Sequence, residues 1–155
     1  MTVNRAAIEY VLVRRTGRLM AACSLDGTTV AGTNVDMNDP IGYALRMVGL
    51  DVADITAVSN TDIGQMGSDV LDQFLDIAEL RLLQNCLQNY DAVNITVGPR
   101  TEALSDIRSG LEKSIERKHQ YNVEKYGAGA TLAGGAISLD FQQRSDYPSI
   151  MVLPN

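Results

Sequence analysis

Histidine occurs once in this chain, at position 119, and cysteine twice, at 23 and 86. With a single imidazole, nucleophilic catalysis by a histidine-activated side chain is nearly excluded. His119 falls on a helical apolar seam, where a half-buried helix residue is the expected reading. Neither His-Glu-x-x-His nor Cys-x-x-Cys is present, so the familiar zinc spacings are missing. Both cysteines occupy apolar positions of helical patterns and read as buried thiols acting as small hydrophobes. No apolar stretch is long enough for a bilayer span, and the first residues lack a signal-peptide cleavage site, so a cytoplasmic product with no membrane partner is expected. No catalytic, cofactor-binding or metal-ligating residue is expected, and no cofactor.

Positive charge is also scarce. The net charge of −6 is unevenly spread: residues 24–79 hold ten acidic side chains against Arg46 alone, giving −9. The first twenty residues hold four arginines and one glutamate, giving +3. Phosphate neutralisation needs clustered Lys and Arg, so such a chain is a poor general DNA binder. Only Arg14, Arg15 and Arg18, with Arg117 and Lys118, could act otherwise, and a neighbouring subunit's acidic patch suits them better than phosphate.

What is present is helix signal. At 155 residues and 45% hydrophobic content, the chain can bury a sizeable core. Asn4 is placed to cap a first helix running to about residue 22, with Ile8, Val11, Leu12, Leu19 and Ala22 on its inner face. Turn formers make 24–38 a long loop. Asp39 as N-cap, Pro40 at the first helical position and Gly49 past the end mark a second helix. A short helical turn is expected around 61–65, and Ser68 would cap a helix over 69–90 whose apolar girth demands neighbours on several sides.

Within "ELRLLQNCLQNYDAVNITVGPRTEAL", residues 79–104, the β-prone run 93–97 and Gly98-Pro99 read as a non-helical break. A long helix over 101–126 follows, closed by Gly127. Its seam of Leu104, Ile107, Leu111, Ile115, His119 and Val123 is narrow, and the charged flanks suggest packing against a second chain. Asp69, Asp72, Asp76 and Glu79 are spaced as one acidic helix face, read as solvated, so that neutralising Asp72, Asp76 and Glu79 together should leave folding intact. "GAGATLAGG" lacks the Gly-Lys-Ser/Thr of a phosphate loop and reads as a hinge. Beyond it Ile137, Leu139 and Phe141 alternate as one face of a short strand that needs a partner. The expected fold is mainly α: a helical bundle over 1–127, with a long loop after the first helix. Residues 128–155 would form a hinge and an extended C-terminal arm carrying that strand.

Three stretches carry a resemblance: "DPIGYALRMVGLDVADITAV", "LDIAELRLLQNCLQNYDAVNITVGPRTEALSDI" ahead of the long charged helix, and "LAGGAISLDF". Over roughly residues 4–141 the chain resembles head-to-tail adaptor (connector, head-completion) proteins of tailed bacteriophages. The resemblance implies a structural virion protein of the neck, made in the host cytoplasm. It implies a homo-oligomeric ring, dodecameric in most such proteins, seated beneath the portal protein. Such a ring extends the DNA channel without binding DNA specifically and seats a stopper, tail-terminator or other neck protein. The arm residues Ile137, Leu139 and Phe141 would then engage the portal or a neighbouring subunit. Two other classes remain beside it: a small soluble helical scaffold or regulator with one protein partner, and an enzyme working through Asp72, Asp76 or Glu79. Native mass separates the ring from the scaffold, and turnover would mark the enzyme.

Overall fold

A computed structural model describes residues 3–97 and 101–128, with side chains placed for 3–90 and 107–128. It is mainly helical. In chain order α1 (Arg5–Ala22) is followed by a 3₁₀ turn (Val35–Met37), α2 (Asn38–Met47), α3 (Asn60–Gly64), α4 (Leu71–Val97) and α5 (Thr101–Tyr126). No strand occurs among the described residues. The arm residues Ile137, Leu139 and Phe141 lie outside them, as does the hinge beyond Ala128.

α4 is the axis of the bundle, and α1, α2 and α5 all pack on it. Phe74, Ile77, Ala78, Leu82, Leu83 and Cys86 are all buried, which is the wide apolar girth in use. α1 contributes Ile8, Leu12 and Met20, while α2 contributes Ile41, Ala44 and Leu45. α1 runs parallel to α4, with Arg15 beside Glu79 at one level and Asn89 donating to the Cys23 carbonyl further along. α5 runs antiparallel, its Lys118 beside Glu79 and its Tyr126 beside Asp76.

Local chemistry explains most helix ends. Asn4 accepts from the Ala7 amide at 2.9 Å, so α1 starts where its cap dictates. Gly49, at φ +84°, closes α2 with its amide on the Arg46 carbonyl and the Leu50 amide on the Leu45 carbonyl, a paired C-terminal motif that needs a left-handed residue. Ser59 and Asp62 form a reciprocal capping box on α3. Gly127, at φ +85°, ends α5.

Three boundary expectations need correction. Asp39 does not cap α2: the 3₁₀ turn leads directly into the helix, and the Asp39 carboxylate instead accepts from Arg81 at 2.8 Å and Asn85 at 2.7 Å on α4. Ser68 does not open α4, which begins at Leu71 after a turn. The expected break after Tyr90 is helix as far as Val97. β-branched residues cost only a few tenths of a kcal/mol each in a helix, too little to stop one already propagating.

A buried ion pair organises the polar side of the core. Arg5 (6% exposed) donates from Nε to Glu9 Oε1 at 2.8 Å, and its terminal nitrogens reach Asn38 Oδ1, the Val58 carbonyl and the Asn34 carbonyl at 2.5–2.7 Å. Glu9, fully buried, also accepts from the amides of Gly32 and Asn34. Both ions are thus satisfied, and they tie α1 to the segments on either side of α2. The backbones of Gly17 and Gly27 cross so closely that a Cβ at Gly17 would stand 2.6 Å from the Gly27 carbonyl oxygen.

Candidate functional site

The concentration of charge in the described structure lies where α5 meets α4 and α1. Asp76, 7% exposed, accepts from Lys118 Nζ at 2.8 Å on Oδ1. Its Oδ2 accepts from Tyr126 Oη at 2.7 Å and Lys125 Nζ at 3.3 Å. Arg15 lies 3.6 Å from the same carboxylate and 2.9 Å from Glu79, which Lys118 also reaches at 2.9 Å. Asn122, fully buried, donates to the Asp76 carbonyl. Burial pushes the Asp76 carboxyl up, but hydrogen bonds from Lys118 and Tyr126 and the Lys118 charge outweigh it and hold it below the usual carboxylate range.

Of the four carboxylates on the expected acidic face, the structure keeps two solvated. Asp69 and Asp72 are exposed at the start of α4, beyond the end of α5. Asp76 and Glu79 are taken up by cations of α1 and α5, which corrects the expectation that Asp72, Asp76 and Glu79 can be neutralised together freely. An ionised carboxylate so fully engaged by donors is poorly placed to deliver a proton at neutral pH. Among the described residues no group of His, Cys, Asp and Glu is arranged to hold a metal ion.

The seam expected on α5 is corrected as well. Leu111 is buried and Ile115 packs partly against the core, but Ile107 is 36% exposed and His119 is exposed. Leu104 lies in the part of α5 whose side chains are outside those described. Steps of four residues turn a helix by about 400°, so each rotates the position by about 40° and Ile107 stands roughly 160° from Val123. The face that meets α4 follows steps of four with one step of three among them, through Leu111, Ile115, Lys118, Asn122 and Tyr126. Polar residues at three of those five positions hid it from a search for apolar periodicity. Their recurrence in register with Leu111 was the signal available.

Arg15, Arg117 and Lys118 converge on one cleft of ≈ 550 Å³ between α1, α4 and α5, with Leu19, Leu83 and Tyr121 among its walls. Of the first basic cluster, Arg15 alone is brought to the cleft that Arg117 and Lys118 line. Both cysteines are buried and free. Burial raises the thiol of each, that of Cys86 to about 12. No described helix is long and apolar enough to cross a membrane. Comparison with protein-family models, curated proteins and solved structures finds no match.

Proposed function

We propose that this chain is a structural subunit without turnover, a head-to-tail adaptor of a tailed bacteriophage. It would assemble as a ring beneath the portal, extend the DNA channel and seat the next neck or tail protein. The observation that carries the proposal most directly is that both flanks of α5, either side of the face it turns to α4, keep apolar surface open. Ile107 and Tyr121 remain 36% and 45% exposed, and Leu87 and Ile115 line an open cleft rimmed by Glu112, Glu116 and His119. A helix held to its own bundle along one edge, with open apolar surface and charges on its two flanks, suits packing between subunits. The exposed acidic segment, including Asp51, Asp54, Asp69 and Asp72, suits a channel through which DNA slides without sticking. In this reading the glycines after Tyr126 act as a hinge, and the strand carrying Ile137, Leu139 and Phe141 adds to the portal.

A small helical scaffold binding one protein partner is the second reading. What favours it is the core, which is closed by this chain's own helices around α4. Native mass spectrometry and negative-stain imaging of the protein with its portal separate the two. A ring on the portal, impaired by Ile107→Glu in a chain of unchanged helix content, is the expected result. A complex with one or two copies and no ring would overturn the adaptor reading.

A further inference from the structure

An apolar groove of ≈ 420 Å³ opens between the starts of α1 and α4, lined by Val3, Ala7, Val11, Ser68, Leu71 and Leu75. Its position is informative. Along α5 from Ser114 to Tyr126, the partners on α4 step back from Leu83 through Glu79 to Asp76. On α1 the same cleft is lined by Leu19 and Arg15. The groove takes over where α5 stops: Val11 lies one turn before Arg15, and Leu75 precedes Asp76. α5 thus fills the upper part of the α1–α4 furrow and points down its unfilled part.

Gly127 ends the helix at that point, and 27 residues follow Ala128. Within them Ile137, Leu139 and Phe141 alternate with Ser138, Asp140 and Gln142. We infer that the groove seats residues 137–141 of the same chain, with the three apolar side chains turned in and the polar ones turned to water. The dimensions agree. Four steps of extended chain cover about 13 Å, and the six helical steps from Arg5 to Val11 cover about 9 Å, with Val3 lying beyond the start of α1. The nine residues from Ala128 to Ile137 can span up to roughly 30 Å, far more than the single turn separating Asp76 from Leu71. A tether this short holds its end at an effective concentration in the millimolar range, which favours the chain's own groove over a second copy's.

The seat belongs to the free subunit and does not depend on the adaptor reading. If that reading holds, a portal would have to displace the segment from this groove, and the subunit would be kept from premature strand exchange. The test uses the full chain alone. Phe141→p-benzoylphenylalanine, irradiated in a mixture of isotopically light and heavy protein, is expected to crosslink within one chain to peptides holding Ala7 and Val11 or Leu71 and Leu75. Crosslinks between light and heavy chains, crosslinks to α2 or α3, or none to protein would overturn the seat. Ala7→Trp fills the groove from an exposed helix position and should lower the crosslink yield at least tenfold with helix content unchanged. If that chain loses helix content, Ser68→Trp puts the same question from the opposite wall. An undiminished yield in the folded variant also overturns the proposal. Failure of portal assembly would leave these results untouched.

Discussion

At the scale of single residues, two positions carry costs that their surroundings make legible. Arg5 and Glu9 are fully partnered deep in the fold, so removing one ion strands the other. Arg5→Met is expected to lower unfolding free energy by about 3–5 kcal/mol, the usual cost of leaving a buried charge unpaired. The Arg5→Met, Glu9→Leu double variant should recover part of that loss, and urea denaturation of both checks it. Gly17 poses the opposite problem. In an ordinary helix interior Gly→Ala stabilises by about 1 kcal/mol. Here the added methyl meets a backbone oxygen at 2.6 Å, so Gly17→Ala is expected to destabilise by about 1–3 kcal/mol. A raised denaturation midpoint in Gly17→Ala would show that the crossing of the two backbones yields easily. The thiols complete this scale: at pH 8 neither Cys23 nor Cys86 should react with a disulfide reagent until the chain unfolds, because burial suppresses both thiolates.

At the scale of elements, α5 is held to α4 by charge as much as by apolar contact. The Asp76 carboxyl has a lowered pKa in the folded chain, so its contribution to stability is present above the unfolded value of about 4 and is lost as pH falls through the folded value. Asp76→Asn is expected to cost roughly 1–3 kcal/mol at pH 7 and to flatten the acid side of the stability–pH curve. Chemical denaturation between pH 3 and 7 measures both effects. Equal acid sensitivity in the variant and the parent would place the titrating groups elsewhere. Here the legibility of the sequence divides. The start of α1 and the ends of α2 and α5 are legible because Asn4, Gly49 and Gly127 act through local backbone geometry, which sequence states directly. Asp39 and residues 91–97 are not legible locally because their outcome is decided at a distance or by cooperativity, and the structure gives no reason why Ser68 does not cap α4. Asp39 has a better use on Arg81 and Asn85, and α4 propagates through weak β preferences. The Asp76 cluster was invisible for a further reason. Lys118, Asn122 and Tyr126 look like a solvated flank until α5 is set antiparallel on α4.

At the scale of the whole molecule, charge is partitioned. The cations of α1 and α5 that could have gripped phosphate are partly neutralised internally, Arg15 by Glu79 and Lys118 by Asp76 and Glu79. Arg14, Arg18 and Arg117 stay exposed, against a long acidic surface from the segments around α2 and α3. Duplex DNA of random sequence is therefore expected to bind more weakly than about 10 µM at physiological salt. Fluorescence anisotropy across a salt series checks this, and sub-micromolar binding with a steep salt slope would refute it. Arg14→Glu with Arg18→Glu should instead weaken contact between copies if acidic patches of neighbours are their partners.

The Arg5 network also has a bearing on the order in which the chain can gain structure. Its acceptors come from positions 9, 34, 38 and 58, and the Arg5 amide itself donates to Asn60. A ribosome delivers these from first to last, so α1 cannot lodge its guanidinium fully until residue 58 has left the exit tunnel. Its apolar face must wait longer, for the stretch of α4 that carries Leu75, Leu82 and Cys86. Over that interval α1 is a helix with a charged residue and an apolar stripe both unhoused, which is the kind of segment a nascent-chain chaperone holds. Synthesis of this protein should therefore register little pulling force on a stalled chain until the middle of α4 has emerged, followed by a single steep rise.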